Sequence, residues 1–249
     1  MKARGFTLLE LVIVMVLIGI SAVFGTRFVA QMAESYMGSA ERAQALAGAR
    51  FAMERLRREL AVAYGPSVYI KDGCLAFVPA LAAGTYLGLP DSVKTGTATF
   101  VIPLSLQGEK IENAFMAIRP DSGSIWSEYP DEQPEDVYPF TDQDPAPTSI
   151  GFHDALGSVH FSRAGYGQRY TLLKGEQVRY CQRNNDLYRE VKSPGEEWGK
   201  ASLMLTEITG DTVFLGYDES DQLIRMELTV TTRDGDLVLP GQLQVTYAP

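Results

Sequence analysis

The chain has 249 residues, a length that allows one large or two small domains. Hydrophobic residues make up 45% of it and aromatic residues 10%, which is enough for a well-packed core. The net charge of −9 at pH 7 argues against nucleic acid as a partner, because phosphate binding requires clusters of basic residues. The same acidic balance argues against binding of the bulk of the chain to an anionic membrane surface.

A long apolar segment follows a short basic stretch. Lys2 and Arg4 precede it, which predicts that this end of the chain stays on the cytoplasmic side of a membrane. Residues 8–24 are almost entirely apolar and approach the length of about 20 residues that spans a bilayer. The sequence Ser21-Ala22-Val23-Phe24 is a poor match to the cleavage site of a secretory signal peptide. We therefore expect a membrane anchor rather than a removed signal.

One carboxylate, Glu10, lies near the start of this apolar segment. An acidic residue at the centre of a membrane helix is unfavourable by about 2.5–3.5 kcal/mol, so such a residue usually has a partner and a function. The alternative is that Glu10 lies close enough to the membrane interface to remain hydrated.

The sequence Gly5-Phe6-Thr7-Leu8-Leu9-Glu10 resembles the class III signal of type IV pilins and type II secretion pseudopilins. The resemblance implies that prepilin peptidase cleaves between Gly5 and Phe6, removes leader residues 1–5 and N-methylates Phe6. It also implies that Glu10 pairs with the N-terminal amine of a neighbouring subunit when the chain leaves the membrane and enters a fibre. This pairing would relieve the cost of a carboxylate in lipid, and the hydrated alternative would leave the Gly-Phe junction unexplained.

The helical pattern continues beyond the membrane segment, assigned to residues 6–24, through residues 25–64. This second stretch contains no proline and is rich in good helix formers. Two pairs of opposite charge, Glu54 with Arg58 and Arg55 with Glu59, are four residues apart and support a helix. We expect Gly65-Pro66 to end it. An apolar stripe at spacings of three and four consists of Leu46, Ala49, Met53, Leu56, Leu60 and Ala63.

This stripe is too short for a coiled coil, since the apolar heptad lasts fewer than three repeats, so we expect it to pack on the head of the same chain. Residues 49–60 also resemble minor pilins of the J-type pseudopilin and of the mannose-sensitive haemagglutinin (MSHA) O-type. Arg27 occupies the position at which major type IV pilins often have a helix-bending proline. This departure favours a minor component over a major pilin.

After Pro66 the periodicity changes from helical to alternating, which predicts a β-rich head over residues 65–249. The expected class is α+β, with one long N-terminal helix packed on a large, mostly antiparallel sheet assembly, as in pilins. Turns are predicted at Asn184-Asn185, Asp234-Gly235 and Pro240-Gly241. The hairpin VRYCQRNNDLYREV resembles one found late in J-type pseudopilins. Strands are predicted at 67–70, 74–78, 98–104, 114–118, 158–163, 170–173, 178–182, 186–191, 213–217, 223–232 and 242–247.

The segment 121–147 is rich in Asp, Glu and Pro, which predicts an exposed loop. Clustered acids could bind calcium, as they do in some pseudopilins, but the D-x-[DN]-x-[DN]-G spacing is missing. A solvated loop or a partner-binding insertion is therefore favoured over a metal site.

The two cysteines, Cys74 and Cys181, lie well past the apolar segment. If the head is exported, we expect them to form one disulfide that closes a long loop. The alternative is two separate buried thiols, each behaving as a small hydrophobic residue. Their spacing does not match a metal site.

No catalytic pattern emerges from the sequence. The two histidines, His153 and His160, match no known metal or catalytic spacing and are interpreted as structural or surface residues. Gly165-Tyr166-Gly167 is too isolated and too aromatic for a phosphate-binding loop. Carboxylates are abundant, but nothing singles out an acid pair. We predict a protein without enzymatic activity, cofactor or metal.

These features together predict a minor pilin or pseudopilin that helps to initiate or cap a fibre. We expect a single-pass inner-membrane protein with a periplasmic head, which then enters a pilus or pseudopilus. Expected partners are other major and minor subunits and prepilin peptidase. An MSHA-type pilus O component is favoured over a J-type pseudopilin, and Glu10 argues against the tip-most K-type. The alternative of another class is a membrane-tethered periplasmic enzyme or binding protein.

Overall fold

The protein is described by a computed structural model that covers residues 8–87, 99–101, 113–140, 149–150 and 161–245. One long α-helix precedes antiparallel β-sheets, which confirms the predicted α+β class. The strands in chain order are β1 (Tyr69–Lys71), β2 (Cys74–Phe77), β3 (Ala80–Leu87), β4 (Thr99–Val101), β5 (Ala114–Ala117), β6 (Val137–Phe140), β7 (Ser149–Ile150), β8 (Arg169–Lys174), β9 (Gln177–Arg183), β10 (Asp186–Lys192), β11 (Ser202–Leu205), β12 (Ile208–Thr209), β13 (Phe214–Asp218), β14 (Leu223–Thr232) and β15 (Gly235–Gln244).

Helix α1 (Leu8–Leu60) combines the apolar segment and the amphipathic segment in one continuous element of 53 residues. The two predicted charge pairs form on its surface: the Arg55 Nε lies 2.7 Å from Glu59, and the Arg58 Nε lies 3.1 Å from Glu54. The helix ends at Leu60, four residues before the predicted end, and a 3-10 helix over Gly65–Ser67 follows. The early end has a cause, because the backbone after Leu60 pairs with the chain after β2 instead of continuing the helix: the Tyr64 N–H donates to the Val78 carbonyl.

Three sheets form the head. The first has the order β1-β2-β9-β10-β11, and the second is built on the long strand β14, with β15 along one edge and β12 and β13 along the other. The third has the order β6-β5-β8-β3-β4-β7. All described pairings are antiparallel, and β9 and β10 form the predicted hairpin with Asn184 in its turn.

Three buried clusters join these layers. The largest lies between the second half of α1 and the first two sheets, and it includes Leu60, Phe77 and Leu228. A second cluster lies between the first and third sheets, around Trp126. The third fills the other face of the third sheet, around Leu172. The head therefore covers α1 on one side and extends away from it in layers.

Two local predictions about strands are wrong for physical reasons. Pro240-Gly241 is not a turn but lies inside β15, where Pro240 pairs opposite Glu227. Proline is tolerated there because β15 pairs only with β14 among the described strands, so no second ladder needs its missing N–H. Strand β3, with the sequence ALAAGTYL, was not predicted, because Ala and Gly have low strand propensity. Its pairing with β8 overrides that preference.

The predicted strand 158–163 is not formed over the described residues 161–163, where the backbone has no regular structure. The side chain of Asp136 accepts hydrogen bonds there from the N–H and the hydroxyl of Ser162, at 2.5 and 2.6 Å. The first of these bonds uses the Ser162 N–H, a backbone donor that a sheet ladder would otherwise engage.

The acidic segment is also different from its prediction over the described residues 121–140. Trp126 and Tyr129 are fully buried, and Val137–Phe140 forms β6 at the edge of the third sheet. The exposed-loop prediction is therefore wrong for this part, because its aromatic residues pack in the core and Asp136 is buried with them, while its other acids face solvent. Residues 141–147 lie outside the described residues.

Candidate functional site

The predicted assembly residue, Glu10, belongs to α1, and the predicted processing site precedes this helix in the sequence. Gly5 and Phe6 lie outside the described residues. Glu10 lies in the first described turn of α1 and is exposed on the chain.

The first half of α1 is an apolar surface that the head does not cover. Among the described residues, α1 is the one helix long and apolar enough to cross a membrane, and none of its most apolar window is buried. Leu17 is 57% exposed, and its apolar neighbours along residues 8–24 are similarly open. An uninterrupted apolar surface of this size is not stable in water and requires lipid or other helices around it.

A second exposed apolar stripe continues beyond the membrane-length segment, and sequence reasoning missed it. Phe24, Phe28, Met32 and Tyr36 recur every four residues and are all exposed. Residues at that spacing share one face of a helix, so the signal was present in the sequence. The stripe gives α1 a lateral contact surface between the apolar segment and the head.

The head first contacts α1 at Gly38. An added Cβ at Gly38 would lie 2.6 Å from the carboxylate of Asp234, in the turn between β14 and β15. One turn of helix later, Glu41 accepts a 2.9 Å hydrogen bond from the backbone N–H of Arg233. Residues 8–37 therefore project from the head, over on the order of 45 Å at 1.5 Å per residue.

Beyond this point the predicted stripe on α1 is buried, as expected. Ala49, Leu56, Leu60 and Ala63 are buried in the largest core cluster, and the half-buried Met53 packs against it. Leu46 is half-buried but does not belong to this cluster. A charged contact also holds α1 to β10 of the first sheet: the Arg189 Nε lies 2.9 Å from both carboxylate oxygens of Glu59. Burial is also the main reason why the pKa of the adjacent Tyr180 is raised.

Cys74 and Cys181 form a disulfide across β2 and β9. The two residues are directly paired in the antiparallel register, with their Cα atoms 4.2 Å apart. The disulfide prediction is confirmed, and the alternative of two separate thiols is wrong. The bond links residues 107 positions apart and so closes the long loop that carries the third sheet.

The described part of the chain contains no group of three or more His, Cys, Asp and Glu side chains that could hold one metal ion. His153 and His160 lie outside it. Tyr166 of the Gly165-Tyr166-Gly167 sequence starts a short 3-10 helix, Tyr166–Gln168, on the head surface.

Residues 1–26 match a known family, described as the prokaryotic N-terminal methylation motif. The match supports a protein similar to type IV pilins and pseudopilins, processed by prepilin peptidase and anchored by its apolar helix. Proteins of that family are structural subunits rather than enzymes. No curated protein matches the chain. No solved structure matches it either.

Proposed function

We propose that the chain is a minor pilin or pseudopilin that helps to initiate or cap a fibre. Residues 1–5 are the leader, residues 6–24 the membrane-spanning and later fibre-core segment, and residues 65–249 the periplasmic head. Prepilin peptidase cuts between Gly5 and Phe6 and N-methylates Phe6. The subunit then leaves the inner membrane to join other pilins.

One observation carries this proposal. The methylation motif at residues 1–26 overlaps a helix that is almost entirely apolar over residues 8–24, uncovered over residues 8–37 and covered by the head from Gly38 onward. An uncovered helix of this kind is suited first to lipid and then to packing against the helices of other subunits. A membrane tether alone does not account for the exposed stripe of Phe28, Met32 and Tyr36 beyond the membrane-length segment.

The processing step is tested by mass spectrometry of the chain after co-expression with prepilin peptidase. We expect loss of residues 1–5 and one added methyl group on Phe6. Gly5→Leu blocks cleavage, because a side chain at this position prevents the close backbone approach that glycine allows. Gly19→Leu is the matched control, since nothing lies within 4 Å of an added Cβ there. An unchanged mass of the wild-type chain would contradict the proposal and favour a tethered periplasmic enzyme or binding protein.

We propose that Glu10 pairs with the N-terminal amine of a neighbouring subunit during assembly. Inside a bundle of apolar helices the carboxylate requires an opposite charge, and the methylated amine of an adjacent Phe6 supplies one. We expect Glu10→Gln to be cleaved normally but to be absent from purified fibres. Glu34→Gln, which changes an exposed acid beyond the apolar segment, should enter fibres normally. Equal incorporation of both variants would exclude the pairing role.

Among fibre systems we favour an MSHA-type pilus, with the chain as its O-type component. The large layered head supports a minor position, because a bulky head is easiest to accommodate at or near a fibre tip. The β9–β10 hairpin keeps a J-type pseudopilin of type II secretion as the second candidate. Co-purification distinguishes them: the tagged chain should be recovered with pilus subunits, and recovery with secretion pseudopilins instead would favour the second candidate.

A further inference from the structure

An open pocket lies at the end of the head that is remote from the apolar segment. It follows directly on the C-terminal end of α1, since Tyr64 and Pro66 form one wall, and it has a volume of about 390 Å³. The other walls come from the segment after β5, from the segment that leads into Arg169 at the start of β8, and from the end of β13 with the turn that follows it. Small-molecule sites typically have volumes of roughly 300–1,000 Å³, so this pocket suits a ligand of one or two sugar rings.

Two guanidinium groups in the pocket lack an acidic partner among the described residues. Arg119 lies over the ring of Tyr166, with its Cζ 4.2 Å from the ring centroid, and donates a 2.6 Å hydrogen bond to the hydroxyl of Tyr166. Arg169 lines the same pocket and forms no ion pair with any described carboxylate. Arginine is well suited to bidentate binding of a carboxylate, so the pair favours an anionic group on the ligand.

The opposite side of the pocket supplies hydrogen-bond acceptors and neutral polar groups. Glu219 accepts a 2.9 Å hydrogen bond from the Ser122 hydroxyl and retains further acceptor capacity. The Gln222 amide adds both donors and an acceptor. Burial, and then the nearby Glu219 and Asp218, raise the pKa of Tyr217 to about 12, and its hydroxyl is protonated at neutral pH, as that of any ordinary tyrosine is. This side is suited to hydroxyl groups rather than to a second anion.

The pocket also presents an aromatic face and a constrained backbone. Tyr166 is 75% exposed and lines the pocket, so its ring is accessible to a ligand there. Arg119 and Gln222 both have left-handed backbone conformations, with φ near 50°, which non-glycine residues rarely adopt. Such strain persists where the surrounding structure holds a side chain in a required place.

We propose that this pocket binds the carboxylate-bearing ring of an acidic saccharide. The carboxylate would contact Arg119 and Arg169, and the ring hydroxyls would contact Glu219 and Gln222. The apolar face of the sugar would lie against Tyr166. An acidic peptide side chain matches less of the site, since it has no hydroxyl groups for Glu219 and Gln222 to bind. Fibre assembly and saccharide binding use opposite ends of the chain, so neither proposal depends on the other.

The test is calorimetric titration of the full chain in detergent micelles with four probes. Two acidic saccharides, 3′-sialyllactose and digalacturonate, are compared with lactose, which lacks the carboxylate, and with triglutamate, which lacks the sugar ring. We expect saturable binding of at least one acidic saccharide, and binding of lactose and triglutamate at least tenfold weaker.

Arg119→Gln and Arg169→Gln should each reduce the affinity for the bound saccharide at least tenfold. Both side chains are exposed, so the variants should keep the wild-type unfolding midpoint. Arg50→Gln, which changes an exposed arginine on α1 away from the pocket, is the matched control and should bind like the wild type.

The proposal is overturned if neither acidic saccharide binds, if lactose binds equally well, or if the two pocket variants bind like Arg50→Gln. Triglutamate binding as tight as that of the saccharides would assign the pocket to an acidic protein segment instead. None of these results would alter the processing or the incorporation of the chain, so a failure here is distinguishable from a failure of the pilin proposal.

Discussion

The two halves of helix α1 have the same helical backbone, but their apolar side chains differ in what covers them. Over residues 8–37 its apolar side chains are exposed on the chain, whereas from Gly38 to Leu60 the apolar stripe is buried against two sheets. The apolar side chains of the second half pack against the head of the same chain. The first half has more apolar surface, and the head does not cover it, so lipid or another molecule must do so.

This difference separates folding from assembly. Each large apolar side chain that the second half buries contributes about 1.5–3 kcal/mol to the stability of the head. Residues 8–37 contribute nothing comparable, because their exposure on the isolated chain is the same whether the head is folded or unfolded. Substitutions in the two halves should therefore change different measurements.

The largest expected effect on the head is the loss of the disulfide. Replacing Cys74 and Cys181 together by alanine should lower the free energy of unfolding by about 2–5 kcal/mol, because the bond closes a loop of more than 100 residues in the unfolded chain. Chemical denaturation in micelles, followed by the fluorescence of buried Trp126, measures this change. The oxidised wild type should lose the same stability on reduction, and an unaffected midpoint would contradict the prediction.

The two halves of α1 are compared most directly by one substitution in each. Leu60→Ala should destabilise the head by about 2–5 kcal/mol, since Leu60 is fully buried and the change leaves a cavity. Leu17→Ala removes the same atoms from a side chain that the head does not touch, and should change head stability by less than about 0.5 kcal/mol. Similar losses in both variants would show that the first half also supports the head.

A smaller effect is expected where the head first contacts the helix. Glu41→Ala removes the acceptor for the Arg233 N–H and should cost about 0.5–1.5 kcal/mol, largely as local opening of the β14–β15 turn. Hydrogen exchange at the Arg233 amide measures it directly. Glu41→Gln keeps an oxygen acceptor and should retain most of the protection, whereas faster exchange in both variants alike would point to the charge rather than the hydrogen bond.

The smallest expected effect is on how the stability of the head depends on pH. A 2.7 Å contact with Lys192 and a hydrogen bond from the Gly195 N–H lower the pKa of Asp131 below its ordinary value of 3.8. The charged form is favoured in the folded state, so its stabilising effect is complete above that ordinary value and is lost as the pH falls through the folded pKa. Asp131→Asn should be slightly less stable than wild type at pH 7, and this difference should shrink as the pH falls below 3.8 and vanish once the pH is below the folded pKa of Asp131.

That test has a control in an acid outside the head. Glu34→Gln should leave the pH dependence of head stability unchanged, because Glu34 lies in the uncovered half of α1. A difference between Asp131→Asn and wild type that stays constant down to low pH would indicate that the amide changes packing rather than charge.

Several elements could be predicted because their signals are local. The charge pairs on α1 and the β9–β10 hairpin depend on neighbours close in sequence, and both are confirmed. Strand β3 and the buried Trp126 could not be predicted in this way. Both depend on partners far along the chain: β3 on its ladder with β8, and Trp126 on the ring of Tyr64.

The candidate sites differ in the same way: one is visible in consecutive residues of the sequence, and the other is not. The methylation motif, the apolar segment and Glu10 are contiguous, so a few consecutive residues suffice to indicate them. The pocket around Tyr166 combines residues from widely separated parts of the chain. In the sequence, Gly165-Tyr166-Gly167 had no visible partner, and only folding brings Arg119 and Glu219 beside it.

By itself, then, the sequence determined the helical anchor, its motif and the α+β class, because helical periodicity and membrane length are properties of consecutive residues. Only the tertiary structure decided that the head covers α1 from Gly38, that Cys74 pairs with Cys181, and that Arg119 and Arg169, which form no ion pair within the described part of the chain, share a pocket. Each of those outcomes depends on strand register between distant segments. Register is set by the packing of the whole head, which no short stretch of residues specifies.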